Sequence, residues 1–269
     1  MIGRGIDWRR TIVTLAIFTF VLELWRLLGA LSFYQRWIGS YPDTIQTVAW
    51  KFLQVLVLIP AVAISDRAGA KFAFDELGLS KSWRAASLFA LAVTLPNVLL
   101  RFGVAGTKPQ FAAGTLLMSA VASPLSEELL FRGYLFGQLY RRAGWPFWAA
   151  ALVNAVPFVA GHLYQLRGNG WALVVSLTEV LVLVGVSALF AAWVYVRWDY
   201  NLWVLIFIHA LLNLHSEIFA SSEASVFGWV DNVAWLVTLI LVVVGTIYRQ
   251  RIPLMSDGRG KSGIFMGKS

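Results

Sequence analysis

Residues 111–139 read FAAGTLLMSAVASPLSEELLFRGYLFGQL. The stretch is apolar along most of its length, and as a helix it would be about 43 Å long at 1.5 Å per residue, enough to cross a bilayer with some tilt. It nevertheless carries Glu127, Glu128 and Arg132 past its middle. An ionised side chain at membrane depth costs at least a few kcal/mol, so each one needs a partner or a function.

The composition of the whole chain indicates a membrane protein. Of 269 residues, 59% are hydrophobic and 13% are charged, whereas soluble domains are about a quarter charged. One very apolar soluble domain is the alternative, and the long apolar segments argue against it. The chain has no cysteine, which excludes structural disulfides and thiolate catalysis.

Eight apolar segments are each long enough to cross a bilayer. We therefore predict an all-α, polytopic membrane protein with about eight transmembrane helices and an intramembrane polar cavity. A short interfacial helix is expected between Asp66 and Arg84. The segments lie near 10–33, 45–65, 85–104, 111–139, 146–165, 171–196, 201–220 and 226–248.

The same pattern predicts four regions along the chain. They are helices one to three with the interfacial segment (1–110), a catalytic core of helices four to seven (111–220), a last transmembrane helix (221–248) and a flexible basic tail (249–269).

Basic residues set the predicted orientation. With eight spans and a cytoplasmic N-terminus, 15 Lys and Arg residues fall on the cytoplasmic side, 4 fall on the other side, and 3 lie within the segments. This asymmetry predicts that both termini are cytoplasmic. It also explains the net charge of +8 better than nucleic-acid binding does, because the basic residues are scattered at helix ends.

Four other charged residues within the segments have structural interpretations. Glu23 and Arg26 are three residues apart and are expected to pair on one helix. Lys51 is expected to extend to the nearer interface, and Glu179 to pair across helices. Of the two adjacent glutamates, Glu128 pairs with Arg132 at i, i+4, which leaves Glu127 without a cation of its own.

Three further polar residues lie at similar depth in other segments. His162 lies in the fifth segment, and His209 and Asn213 share one face of the seventh at i, i+4. A single buried histidine is more often a hydrogen-bonding residue between helices than a catalytic one. Together with Glu127 these groups predict a wet pocket, which a helix kink at Pro124 would help to open. His215 points away from that face and is left out.

This set of groups suits peptide hydrolysis. Glu127 would take a proton from a water held by His162, and His209 and Asn213 would stabilise the tetrahedral oxyanion. Glu128 and Arg132 would brace the helix. The zinc-helix pattern HExxH, the aspartyl pattern GxGD and the nucleophile elbow GxSxG are absent. Zinc held by Glu127, His162 and His209 stays open, but an amide matches an oxyanion donor better than a zinc ligand, so a metal-free site without cofactor is favoured.

The three motifs together resemble a known family. They are EELLFR at 127–132, FVAGH at 158–162 (where Phe158 precedes His162 by one turn) and HALLN at 209–213. The chain is identified by them as similar to the CAAX protease and bacteriocin-processing (ABI) family, which includes the type II prenyl-protein endopeptidases. The resemblance covers roughly 111–220. It implies a glutamate-dependent intramembrane endopeptidase in which Glu127 and His162 activate water and His209 and Asn213 form the oxyanion hole.

The resemblance also implies a substrate and a setting. Eukaryotic relatives cleave prenylated proteins and bacterial relatives are linked to bacteriocin maturation and immunity, so the expected substrate is a membrane-embedded or lipidated protein or peptide. A prokaryotic inner membrane is expected. Two alternatives stay open at this point: a non-catalytic scaffold or immunity protein, and a transporter whose buried Glu and His relay protons.

Overall fold

The computed structural model describes residues 5–67, 69–104, 112–219 and 229–249. Within these ranges the chain is built from helices and contains no β-strand. In chain order they are α1 (Trp8–Gly29), α2 (Ser32–Trp37), α3 (Asp43–Ser65), α4 (Ala70–Glu76), α5 (Trp83–Val104), α6 (113–142), α7 (Phe147–Ala160), α8 (Trp171–Arg197), α9 (Leu202–Ile218) and α10 (Trp229–Tyr248).

The protein is an all-α integral membrane protein, as predicted. Among the described helices, α1, α3, α5 and α8 are by themselves long and apolar enough to cross a bilayer, and α7, α9 and α10 are shorter apolar helices. Each of the eight predicted segments coincides with one of the helices α1, α3 and α5 to α10. The short helix α4 lies in the segment where an interfacial helix was expected.

Two predicted segments extend too far. The first, 10–33, passes through a break, because α1 ends at Gly29 and the separate helix α2 begins at Ser32. The fifth, 146–165, places His162 inside a helix, whereas α7 ends at Ala160. Gly161 follows as the C-cap residue, and glycine is a poor helix former.

Parts of the predicted regions lie outside the described residues. These parts are 1–4 and 68 in the first region, 105–111, which joins the first two regions, 220–228, which joins the second region to the last transmembrane helix, and all of the basic tail except Arg249. The division of the chain at residue 110 therefore stays a prediction.

Helix α6 lies at the centre of the bundle. It packs against α1, α3, α7, α8 and α9, and every side chain from Glu128 to Phe136 is buried. Phe131 forms edge-to-face contacts with Phe18 of α1 and Phe158 of α7, with ring centroids 5.4 and 5.0 Å apart. These five helices therefore surround the buried Glu128 and Arg132 and separate them from lipid.

Ionic contacts join the helices at one end of the bundle. The buried carboxylate of Glu76 in α4 accepts hydrogen bonds from Arg142 at the end of α6, through Nε at 2.7 Å and also through Nη2. Arg141 donates to the Glu76 backbone carbonyl at 2.8 Å. Next to this group, Arg10 of α1 pairs with Asp66 after α3 at 2.7 Å.

The connection before α9 lies at the same end. Gly78 adopts a positive φ of 76°, and an added Cβ would lie 2.1 Å from the Tyr200 carbonyl, so only glycine fits this close approach. Asn201 caps α9 by accepting the Trp203 N–H and donates to the Ser82 carbonyl at 3.0 Å. Arg249 after α10 donates to the Arg197 carbonyl at 3.0 Å. One end of the bundle therefore holds four arginines that the charge count assigns to the cytoplasmic side, namely Arg10, Arg141, Arg142 and Arg249.

The Glu76 cluster gives a prediction on stability. Burial disfavours the ionised carboxylate, but the hydrogen bond from Arg142 and the charges of Arg141, Arg142 and Arg10 outweigh it and hold the pKa of Glu76 below its ordinary value. The stabilisation is therefore complete above the ordinary pKa of 4.5 and is lost as pH falls through the lowered pKa of the folded state.

We expect Glu76→Gln to lower the free energy of unfolding at neutral pH by about 1–3 kcal/mol, because the arginines lose the charged, buried acceptor of their hydrogen bonds. The difference from wild type should shrink in acid. Thermal unfolding in detergent between about pH 3 and pH 7 measures this. The exposed neighbour Asp75→Asn is the control, and a pH-independent difference for Glu76→Gln contradicts the interpretation.

Candidate functional site

Helix α6 departs from regular α geometry where its charged residues lie. Met118–Ala122, Glu128–Phe136 and Gln138–Arg142 are π-helical, and a regular α turn, Ser123–Glu127, separates the first two. Such i→i+5 segments are rare in proteins and occur frequently at functional sites. The wider π turns place the two glutamates at a junction between backbone geometries.

Glu128 connects two helices of the site. Its Oε1 accepts a hydrogen bond from Arg132 Nη1 at 3.3 Å, which confirms the predicted i, i+4 pair, and another from His209 Nδ1 of α9 at 2.8 Å. Both Glu128 and Arg132 are buried. Glu128 Oε2 and Arg132 Nε have no protein partner within the described part of the chain. A water or a substrate group is therefore needed to satisfy them.

Phe158 packs between a cation and an imidazole. The Arg132 guanidinium carbon lies 4.1 Å from the Phe158 ring centroid, a cation–π contact, and the His162 ring centroid lies 4.6 Å from the same ring. The contact between Phe158 and His162 that the motif predicts is therefore present. It holds the imidazole in place although His162 lies beyond the end of α7.

The hydrogen bonds place a proton on Nδ1 of both histidines. His162 Nδ1 lies 2.7 Å from the Phe158 carbonyl, which can only accept, so Nδ1 carries a proton and Nε2 of the neutral ring is an acceptor. His209 Nδ1 donates to the Glu128 carboxylate, so its Nε2 donates only when the ring is an imidazolium. In each ring Nε2 therefore accepts a hydrogen bond when the ring is neutral and donates one when it is an imidazolium.

Asn213 is held by the backbone of α6. Its Nδ2 donates to the Ser119 carbonyl at 2.9 Å. In an α-helix that carbonyl would accept the Ser123 N–H, but this N–H bonds Met118 instead, and Pro124, the next donor in a π-helix, has no N–H. Pro124 therefore leaves the Ser119 carbonyl to Asn213, and this contact holds Asn213 by one amide proton and leaves the second available.

Glu127 has a cation of its own, contrary to the sequence interpretation. Lys51 Nζ of α3 lies 2.8 Å from Glu127 Oε1. The prediction that Lys51 extends to the membrane interface is therefore wrong, because a carboxylate within reach inside the bundle gives the ammonium a partner. Glu127 also interacts electrostatically with His162 and His209.

One cavity of about 270 Å³ joins most of the predicted residues. Its wall includes Glu128, Arg132, His162, His209 and Asn213 together with apolar side chains of α8, α9 and α10. Glu127 is not part of this wall, although its side chain keeps 16% exposure against 5% for Glu128. The structure thus brings the histidines and the amide together, with Glu128 rather than Glu127 facing the cavity.

The described side chains do not form a metal site. Within the described ranges, no group of three His, Asp or Glu side chains lies close enough to hold an ion. Glu127 Oε1 is bound by Lys51, and Glu128 Oε1 by Arg132 and His209. The arrangement therefore does not fit the zinc ligation that the sequence left open, and no chemical step below uses a metal.

Sequence reasoning missed two contributors. Lys51 carried a signal, a lysine within an apolar segment, but its partner lies 76 residues away. No sequence signal indicated the Ser119 carbonyl, because every residue type has a backbone carbonyl and the residue identity does not show which one accepts a side-chain hydrogen bond.

Comparison with protein families supports the motif-based resemblance. The sequence profile described as "Type II CAAX prenyl endopeptidase Rce1-like" matches residues 109–215, a range that contains all three motifs. The resemblance to the type II CAAX endopeptidases is confirmed over this region of the chain.

Two curated proteins are similar over longer stretches. The chain is 29% identical over 140 residues to an "Uncharacterized 24.3 kDa protein" of Escherichia coli, covering 51% of this chain and 54% of that protein. It is 25% identical over 191 residues to the "Putative membrane peptidase YdiL" of Bacillus subtilis (strain 168), covering 64% of this chain and 68% of the relative. The chain thus spans about half the length of the first relative and about two thirds of the second. No solved structure matches.

The contact between Asn213 and Ser119 predicts a coupling between two distant positions. Asn213→Ala should destabilise the protein by about 1–3 kcal/mol, since it leaves a buried carbonyl unpaired. In a Pro124→Ala background the cost should fall, because residue 124 regains an N–H that can serve the same carbonyl. Thermal unfolding of the four proteins in detergent gives the coupling energy.

Pro60→Ala is the matched control, since Pro60 also lies inside a helix, α3, and should not couple to Asn213→Ala. Equal costs of Asn213→Ala with and without Pro124 would show that the proline does not create the acceptor.

Proposed function

We propose that this protein is a glutamate-dependent intramembrane endopeptidase that cleaves membrane-embedded or lipidated proteins or peptides. The observation that carries the proposal is the cavity within the helix bundle into which a hydrogen-bond acceptor, His162, and two donors, His209 and Asn213, all open. The match of residues 109–215 to the type II CAAX endopeptidase family supports it.

In this proposal Glu127 and His162 activate the attacking water. Glu127 keeps more exposure than Glu128, and Lys51 binds only its Oε1, so Oε2 is available to take a proton from water. His162 Nε2 accepts the other hydrogen of that water and orients its lone pair toward the scissile carbonyl. Glu128 is already bound by Arg132 and His209, which suits a positioning role.

Two residues of α9, His209 and Asn213, stabilise the oxyanion. As an imidazolium, His209 donates Nε2–H to the tetrahedral oxygen while Nδ1–H remains on Glu128. Asn213 adds its second amide proton, since Ser119 occupies the first. Collapse of the intermediate breaks the C–N bond, and protonated Glu127 returns its proton to the departing amine. The enzyme thus ends the cycle in its starting protonation state.

The proposal extends to location and cofactor. Both termini are cytoplasmic in this proposal, because 15 of the 22 Lys and Arg residues fall on that side in the charge count. A prokaryotic inner membrane is the expected setting, and the reaction needs no metal.

Purified protein in detergent, assayed with a panel of lipidated and unmodified peptides, tests the proposal. Cleavage is expected in the presence of a chelator, and Glu127→Gln or His162→Ala should reduce kcat by about 10²–10⁴-fold in protein that still folds. Glu127→Gln should also lower the melting temperature, because it leaves the Lys51 ammonium without its carboxylate. Asn213→Ala should reduce kcat by about 10²–10³-fold with little change in KM.

His215→Gln is the matched control, since His215 lies on α9 with His209 but not on the cavity wall. Turnover that survives Glu127→Gln contradicts the mechanism, and turnover abolished by the chelator contradicts its metal-free form. A scaffold would show no cleavage with any peptide.

A further inference from the structure

Lys51 is a cation inside a membrane helix that could have avoided burial. It lies eight residues after Asp43, the first residue of α3, about 12 Å along the helix, a distance that a lysine side chain can shorten by extending toward the interface. Instead its side chain is only 20% exposed and its ammonium lies 2.8 Å from Glu127. The contact joins α3, which carries none of the three motifs, to the helix that carries the first of them.

The charges around this contact balance in pairs. Glu127 faces Lys51 from α3, His162 from beyond α7 and His209 from α9. On α6 itself, Glu128 is neutralised by Arg132. Two adjacent carboxylates therefore have one strong cation each, so both can remain ionised in an apolar bundle.

The geometry of the contact goes beyond charge balance. An ammonium is a compact charge and here approaches only one oxygen, Oε1. A guanidinium in its place would tend to bind both carboxylate oxygens at once. Lysine thus holds the carboxylate and leaves the second oxygen available.

We propose that Lys51 is a positioning residue of the active site, which holds Glu127 by Oε1 so that Oε2 faces the attacking water. This inference rests on the proposed function, because it gives the general base its orientation. It also assigns the N-terminal helices a part in the reaction, through a residue outside the matched region 109–215.

Two substitutions separate positioning from structural support. Lys51→Met removes the contact, and we expect kcat to fall about 10- to 100-fold with KM changed by less than about threefold, as expected for a misplaced catalytic group. Lys51→Arg preserves the charge, and we expect a melting temperature near that of wild type but a kcat at least about tenfold lower, because a bidentate arginine occupies Oε2 as well.

The assay uses full-length protein in detergent with a peptide that the wild type cleaves, and reports kcat, KM and melting temperature. Arg26→Met is the matched control: Arg26 is also a cation within an apolar helix, but it is paired with Glu23 at 2.9 Å and touches neither Glu127 nor the cavity wall. It should leave kcat unchanged. If Lys51→Met fails to fold, Lys51→Gln takes its place with the same expectation for kcat.

The kinetic results distinguish failure of the Lys51 positioning role from failure of the proposed function. Wild-type kcat in Lys51→Met, or in a stable Lys51→Arg, overturns the positioning role while cleavage that requires Glu127 stands. Turnover that is independent of Glu127, or no turnover by the wild type, overturns the proposed function and this inference with it.

Discussion

Two adjacent carboxylates in an apolar bundle can both stay ionised only if each has a cation, and the site depends on that constraint. Glu128 is paired with Arg132 on the same helix, and Glu127 with Lys51 on another. An unpaired charge at this depth would cost several kcal/mol, more than a typical single interaction contributes to stability. One cation comes from α3 and the other from α6. The charges of the site therefore balance only when α3 packs against α6.

The backbone of α6 links that constraint to the rest of the pocket. Pro124 and the π-helical segments leave the Ser119 carbonyl to a side chain from α9, and Asn213 provides the donor. One turn earlier on α9, His209 binds Glu128. Two hydrogen bonds from one face of α9 therefore fix its register against α6, so the groups that would stabilise an oxyanion are also those that hold the two helices together.

The sequence predicts best what is local. Apolar segment lengths predict the eight long helices, and spacing along one helix predicts the pairs Glu23–Arg26 and Glu128–Arg132. The sequence predicts an interfacial position for Lys51 because the membrane interface is within reach of its side chain. The prediction is wrong because the partner, Glu127, is 76 residues away in the sequence and spacing along one helix does not reveal it. The end of α7 at Ala160 was missed because an apolar pattern continues through Gly161, although His162 still contacts Phe158 as the motif predicts. Which glutamate faces the cavity depends on π-helical turns, for which no residue pattern exists.

The central claim is that a carboxylate paired with a cation activates water for direct attack on a peptide bond inside the membrane. One turnover in ¹⁸O-labelled water, with enzyme in excess over a peptide that it cleaves, tests this through the mass of the new carboxyl terminus. Direct attack predicts one labelled oxygen in the first product formed. A new carboxyl terminus without any labelled oxygen would show that the added oxygen came from a glutamate acting as nucleophile, which contradicts the account.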